Sequence, residues 1–153
     1  MSKKDLQNKV EEFLTDLFEK LTVKAEVKSE FAQDETKLEV QIDSEDANLL
    51  IGYHGDTLNS IQHLVNAMVF NSFGEGTMVI VDVSGYRKER EQKLIEIAEN
   101  ASSKAKFLQK SVALYPMNSF ERRIVHAKVS EIEGVSSHSE GEGYNRRIII
   151  VPE

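Results

Sequence analysis

The sequence predicts an α+β protein of two small units in tandem, the first ordered α-β-β-α-α-β and complete by about residue 84, the second ordered α-β-α-β-β. Three observations predict it. Apolar residues recur at threes and fours, then alternate, then return to threes and fours along the chain. Glycine-containing breaks fall where the spacing changes. A composition 40% hydrophobic and 29% charged over 153 residues supplies apolar side chains for one ordinary core or two small ones.

The elements follow in order. Leu6, Val10, Phe13, Leu14, Leu17, Phe18 and Leu21 predict an amphipathic helix from Asp5 to about Leu21. Val23, Ala25 and Val27, then Leu38, Val40 and Ile42, alternate with polar residues and predict two half-buried strands about the polar turn at 30–36. Ser44 is placed to cap a short helix that ends at Gly52, and Asp56 or Thr57 to cap the next, with Leu58, Ile61, Leu64, Val65, Met68 and Val69 as its buried stripe. The run FGEG stops that helix, and residues 77–83 read as an apolar strand. Residues 85–110 predict a long helix with Leu94, Ile97, Ala98, Ala101, Ala105 and Leu108 on its apolar face. A short strand ended by Pro116, a helix capped by Ser119 and stopped by Gly134, and a hairpin turning at Gly141 to Gly143 complete the chain. The expected domains are therefore 1–84 and 85–153.

Several function classes are excluded or disfavoured. The chain has no cysteine, so no disulfide and no thiolate site is possible. It has no apolar run near the 18 or so residues that a membrane span needs, and its charged N-terminus is unlike a signal peptide, so a cytoplasmic protein is expected. His54, His63, His126 and His138 fall on four different predicted elements, and no Walker A, nucleophile-elbow or HExxH pattern occurs. No catalysis, no cofactor and no metal are expected, and His63 is expected to be partly buried on its helix. The net charge is −7, but it is uneven: residues 1–50 carry 7 basic against 13 acidic side chains, residues 101–153 carry 8 against 6. Bulk acidity weakens non-specific attraction to phosphates without forbidding a local site.

Two motifs carry chemistry. In LLIGYHGDTLNSIQHLVNAM, residues 49–68, two helices meet at Gly52-Tyr53-His54-Gly55. Glycine permits the sharp turn, and the N–H groups opening the second helix lie at the positive end of its dipole, where a phosphate backbone can be held. Read alone, the same glycines would serve an ordinary helix corner. Tyr53 offers a stacking ring, and His54 gains charge only on acidification, so affinity for nucleic acid is expected to rise as pH falls. In LYPMNSFERRIVHAKV, Arg122 and His126 lie one turn apart on one helix face as a phosphate-facing pair; an isolated pair of this kind is equally a solvated face. Arg123, with one of Arg146 and Arg147, would extend a basic strip beside Arg122.

The order α-β-β-α-α-β with G-x-x-G between its middle helices resembles the type II KH domain, whose loop clamps about four nucleotides of a single strand. The middle loop positions are commonly basic in that family and here are Tyr53 and His54. The C-terminal half, through ALYPM, ERRIVH and GEGYNRRIIIVP, resembles the Arg-xxx-His (R-3-H) single-stranded nucleic-acid-binding domain, a small α/β domain with a three-stranded sheet. Together with DVSGYRKERE at the junction, these stretches resemble the Jag (SpoIIIJ-associated, KhpB or EloR) family of bacterial RNA-binding proteins. Many members carry a further N-terminal domain, and here the chain starts at the KH helix. The resemblance implies binding of single-stranded RNA, with single-stranded DNA as the other nucleic-acid ligand, at Gly52, Tyr53, His54, Gly55, Arg122, Arg123 and His126. It also implies a post-transcriptional role linked to cell elongation and division, and a small KH-only protein as partner. The alternative is an interaction adaptor that keeps the KH shape with little RNA binding.

Overall fold

The computed structural model describes residues 2–153. The chain divides into two compact units, Met1–Arg87 and Lys88–Glu153.

In the first unit, α1 (Lys3–Lys20) opens on a capping box in which the Ser2 hydroxyl accepts the Asp5 N–H and the Asp5 carboxylate accepts the Ser2 N–H. Its Leu6, Val10, Leu14 and Phe18 are buried as their spacing requires. Strands β1 (Ala25–Phe31) and β2 (Lys37–Ser44) pair antiparallel from Ala25↔Ser44 to Phe31↔Leu38. After α2 (Ala47–Ile51) and α3 (Asp56–Phe73), β3 (Met78–Val83) joins β2 in parallel, giving the order β1-β2-β3. Leu38, Val40 and Ile42 are buried while Lys37, Glu39 and Gln41 face water, so the sheet is covered on one face, where Leu14, Phe18, Leu58 and Val65 meet it in one core.

Both edges of this sheet are closed by side chains. On β1, Ser29 N–H donates to Glu11 Oε1 at 2.9 Å and Ser29 O accepts from Gln7 Nε2 at 2.5 Å. On β3, Val81 N–H donates to Gln62 Oε1 at 2.7 Å, Gln62 Nε2 donates to Val79 O at 2.5 Å, and Arg87 Nε donates to Val81 O at 2.7 Å. Backbone groups that would otherwise recruit another strand are thus satisfied from the unit's own helices.

In the second unit, α4 (Tyr86–Leu108) buries Leu94, Ala98, Ala101, Ser102 and Ala105. Strands β4 (Val112–Ala113), β5 (Val135–Glu140) and β6 (Arg147–Pro152) form an antiparallel sheet of order β4-β6-β5, on which α5 (Ser119–Ser130) packs through Val125 and Val129. Glu121 continues that stripe one turn earlier and is buried; its Oε1 accepts from Arg90 Nε at 2.7 Å. The first two residues of α4, Tyr86 and Arg87, belong to the first unit, with Tyr86 packed against the first core.

Several local expectations are corrected. Ser44 ends β2 and accepts the Asp46 N–H, so α2 begins at Ala47 after Asp46 with no side-chain cap. Gly55, not Asp56 or Thr57, caps α3, because its left-handed backbone (φ 86°) makes the turn into the helix. Asn118, not Ser119, caps α5, with Oδ1 accepting the Glu121 N–H at 2.9 Å, and α5 ends at Ser130, before Gly134. Leu64 and Leu108 lie off their buried stripes and are exposed, and so is His63, whose neighbour Gln62 takes the sheet-facing position. The β4 strand is two residues long.

Candidate nucleic-acid interface

The G-x-x-G turn is built by backbone conformation. Gly52 (φ 72°), which precedes a single 3₁₀ turn over Tyr53–Gly55, and His54 (φ 50°) and Gly55 (φ 86°) within it all lie at positive φ, and the turn feeds directly into α3. Neither glycine has room for a side chain. A Cβ on Gly52 would come within 2.2 Å of Thr57 Oγ1 and 2.9 Å of the Thr57 nitrogen, and a Cβ on Gly55 within 2.9 Å of Tyr86 Cε1. The glycines are therefore required by the unit's own packing, with Thr57 and Tyr86 as the walls. Because Gly55 provides no side-chain cap, no side chain claims the N–H groups of the first turn of α3. Asp56 adds a carboxylate in that same turn.

Tyr53 and His54 project from the turn. Tyr53 is 74% exposed, and its ring stacks on that of His54 with centroids 4.1 Å apart and planes within 10°. His54 thus occupies one face of Tyr53, and the pair forms an aromatic ledge beside the open N-terminus of α3.

The second constellation stands on α5. Arg122 and His126 are half-buried on one face, and burial, the Arg122 cation and nearby His138 all hold the His126 imidazole below its ordinary pKa. The neutral imidazole is thereby favoured. Its Nδ1 lies 2.7 Å from Ser137 Oγ on β5. When that hydroxyl donates, the imidazole proton sits on Nε2, which becomes a hydrogen-bond donor without a charge. Arg122 Nη1 donates to Met117 O at 2.6 Å, tying α5 to the segment before it and leaving the rest of the guanidinium fork for an anion.

Arg123 does not share this face. It lines a groove between α5 and α4 with Phe120, Ile124, Glu91 and Ile95, so the continuous strip expected beside Arg122 is not formed by Arg123. Arg146 Nη1 folds back to Gly141 O at 2.7 Å and Arg147 Nε to Asn145 O at 3.3 Å, both bracing the hairpin. His138 Nε2 lies 2.8 Å from Glu140 Oε1. Among the described residues no group of three or more His, Cys, Asp or Glu is arranged to hold a metal ion, and no helix is long and apolar enough to cross a membrane.

Sequence reasoning missed the residues that hold these motifs: Ser137 behind His126, the Met117 carbonyl behind Arg122, Thr57 behind Gly52, and the Arg90–Glu121 pair that anchors α5. Only Glu121 left a signal, since a carboxylate four residues before Val125 and eight before Val129 sits on the buried stripe and demands a partner.

Residues 7–83 match the family model described as the KH domain of KhpA/KhpB, and residues 92–152 match that of the R-3-H domain. The chain is 36% identical over 148 residues to the RNA-binding protein KhpB of Clostridium symbiosum, covering 97% of this chain and 67% of that protein. It is 35% identical over 127 residues to the protein of the same name in Bacillus subtilis (strain 168), covering 80% of this chain and 61% of the relative. It is 30% identical over 116 residues to that of Streptococcus pneumoniae (strain D39), covering 76% and 35%.

Proposed function

The chain belongs to the KhpB (Jag) family of proteins that join a KH to an R-3-H domain, and from that membership we propose that it binds single-stranded RNA at two sites without catalysis. The observation that carries the reading is the turn at Gly52–Gly55: it ends in a helix N-terminus with no side-chain cap, flanked by an exposed aromatic ledge, which suits a phosphate backbone and a stacked base or sugar. The Arg122/His126 face, with the part of the Arg122 guanidinium not bonded to Met117 O and an imidazole held toward its neutral form, supplies the second point of capture. The name RNA-binding protein KhpB, carried by relatives in three genera, supports RNA as the polymer. Family membership further supports a cytoplasmic, post-transcriptional role linked to cell elongation and division, with a small KH-only protein as partner.

The test is fluorescence anisotropy of a labelled single-stranded RNA of about 15 nucleotides, long enough to cover more than one small site. Replacing Tyr53 and His54 together by Asp should abolish binding at the turn without disturbing the fold, because both side chains are exposed. Arg122→Ala should weaken binding independently and reduce the log–log salt slope by about 0.7 for each phosphate that is no longer neutralised. Unchanged affinity in the Tyr53/His54 variant would reject the turn as the clamp, and a folded protein that binds no RNA in a diverse pool would favour the adaptor reading.

A further inference from the structure

Two tyrosines of the second unit stand outside its core: Tyr115 is 82% exposed and Tyr144 is fully exposed. Each ring left in water forgoes the gain from burying a large apolar surface. Both lie at the same end of β6. The β4–β6 pairing, Val112↔Ile150 and Ala113↔Ile149, runs on past β4, with Leu114 N–H donating to Ile148 O at 2.9 Å and Met117 N–H to Arg146 O at 3.2 Å. Tyr115 is carried on that extension, alongside the start of β6. Tyr144 sits in the 3₁₀ turn Gly143–Asn145 that leads into β6 from the other side.

Both backbones are fixed while both rings are free. The Tyr115 segment is pinned by the two β6 hydrogen bonds and by Arg122 Nη1 on Met117 O at 2.6 Å. The Tyr144 turn is closed by Asn145 N–H to Glu142 O at 3.1 Å, Arg146 N–H to Gly143 O at 3.3 Å and Arg146 Nη1 to Gly141 O at 2.7 Å. The Arg122 guanidinium and the segment that bears Tyr115 are thus one hydrogen-bonded unit. The charge pattern separates backbone from base: exposed Glu142 and Glu140 beside the Tyr144 turn repel a phosphate there but leave the face of an uncharged base acceptable.

We infer that Tyr115 and Tyr144 are stacking platforms for unstacked bases of the single-stranded RNA whose backbone is held at Arg122; this rests on the RNA-binding reading and adds to it the recognition of the bases. Exposed aromatic rings on a rigid frame beside arginines match what a single strand needs, since every base has a π-face and little conformational entropy is lost in presenting the rings.

The experiment uses the full chain, a labelled RNA of about 15 nucleotides and an abasic strand of the same length. Tyr115→Ala and Tyr144→Ala should each weaken RNA binding about tenfold, with Tyr→Phe at either position within about twofold of the parent. The salt slope should not change in any of the four, whereas Arg122→Ala lowers it, and binding of the abasic strand should be indifferent to both alanine variants. The chain contains no tryptophan, so Tyr115→Trp and Tyr144→Trp each install a single reporter whose emission should be quenched when RNA stacks on it. Alanine variants that bind like the parent while Arg122→Ala is weakened overturn the stacking inference and leave the RNA reading standing. Equal losses on RNA and abasic strands, or an unquenched tryptophan in an RNA-saturated protein, overturn it too. A parent protein that binds no RNA overturns both.

Discussion

His126 carries two opposite pH dependences. Its pKa in the folded chain is depressed by burial, by Arg122 on its own helix and by His138 on β5. The folded state therefore takes up its proton later than the unfolded state. The stability this contributes is full above the ordinary histidine value of about 6.5 and is lost as pH falls from there toward the folded value. RNA affinity should move the other way, because a phosphate beside the imidazole favours its protonated form and binding then takes up a proton. In a His54→Gln background, affinity should rise between pH 7.5 and 5.5 while thermal stability falls, and His126→Gln should flatten both. An NMR titration of the His126 ring that shows the same midpoint with and without RNA would contradict this coupling. A second prediction concerns Gly55. With φ 86° and a Cβ position 2.9 Å from Tyr86, Gly55→Ala should cost about 1 to 3 kcal/mol of stability, measured by denaturant unfolding, before any ligand is considered. Loss of RNA binding on changing Gly55 would therefore say little about contact, whereas exposed Tyr53 and His54 report on contact directly. The motif residues were legible as letters in the sequence; that the His126 pKa is depressed and that Gly55 is walled by Tyr86 were not, because both depend on residues that folding brings together.

At the scale of elements, periodicity placed the long helices and strands well and misplaced their ends by a residue or a few. The reason is physical: a stripe of Leu58, Ile61 and Val65 is fixed by burial, while the choice of cap rests on backbone angles, which let Gly55 stand where Asp56 and Thr57 had the better side chains and chose Asn118 over Ser119, two side chains that cap about equally well. The closure of the sheet edges left no local trace, since Gln62 meets Val79 and Val81 across a turn and an intervening strand start. That closure can be tested. Gln62→Met keeps the length of the side chain but removes both the acceptor of the Val81 N–H and the donor to the Val79 carbonyl, and Val81 is fully buried. The cost should be about 1 to 3 kcal/mol, the penalty for unmet buried backbone groups. Hydrogen exchange at the Val81 amide should accelerate beyond the global loss, and concentration-dependent association should appear as the β3 edge opens. A variant that loses stability with the Val81 amide still protected to the same relative degree would show that Gln62 acts through packing alone.

For the whole molecule, two cores and two candidate contact faces follow from one chain whose acidity is gathered in its first 50 residues. An acidic first unit makes electrostatic capture at the Gly52–Gly55 turn weak, since Asp56 stands in the same helix turn that would receive the phosphate. The second unit, with Arg122 on its α5 face, also presents a small patch. Two weak sites on one chain act together only through a ligand long enough to occupy both, and then the second contact forms at an effective concentration of about millimolar for a short flexible tether. Affinity should therefore rise gently with RNA length while one site is filled and steeply once a strand reaches the second. Replacing Tyr53 and His54 by Asp should remove the steep rise and leave the affinity for short strands held at Arg122; Arg122→Ala should remove the same rise and leave the turn's own short-strand affinity. The salt slope for a long strand should approach the sum of the two slopes measured separately, because released counterions add. A length series with a single gentle slope in the parent protein, or a rise that survives in either variant, would place all of the binding on one unit.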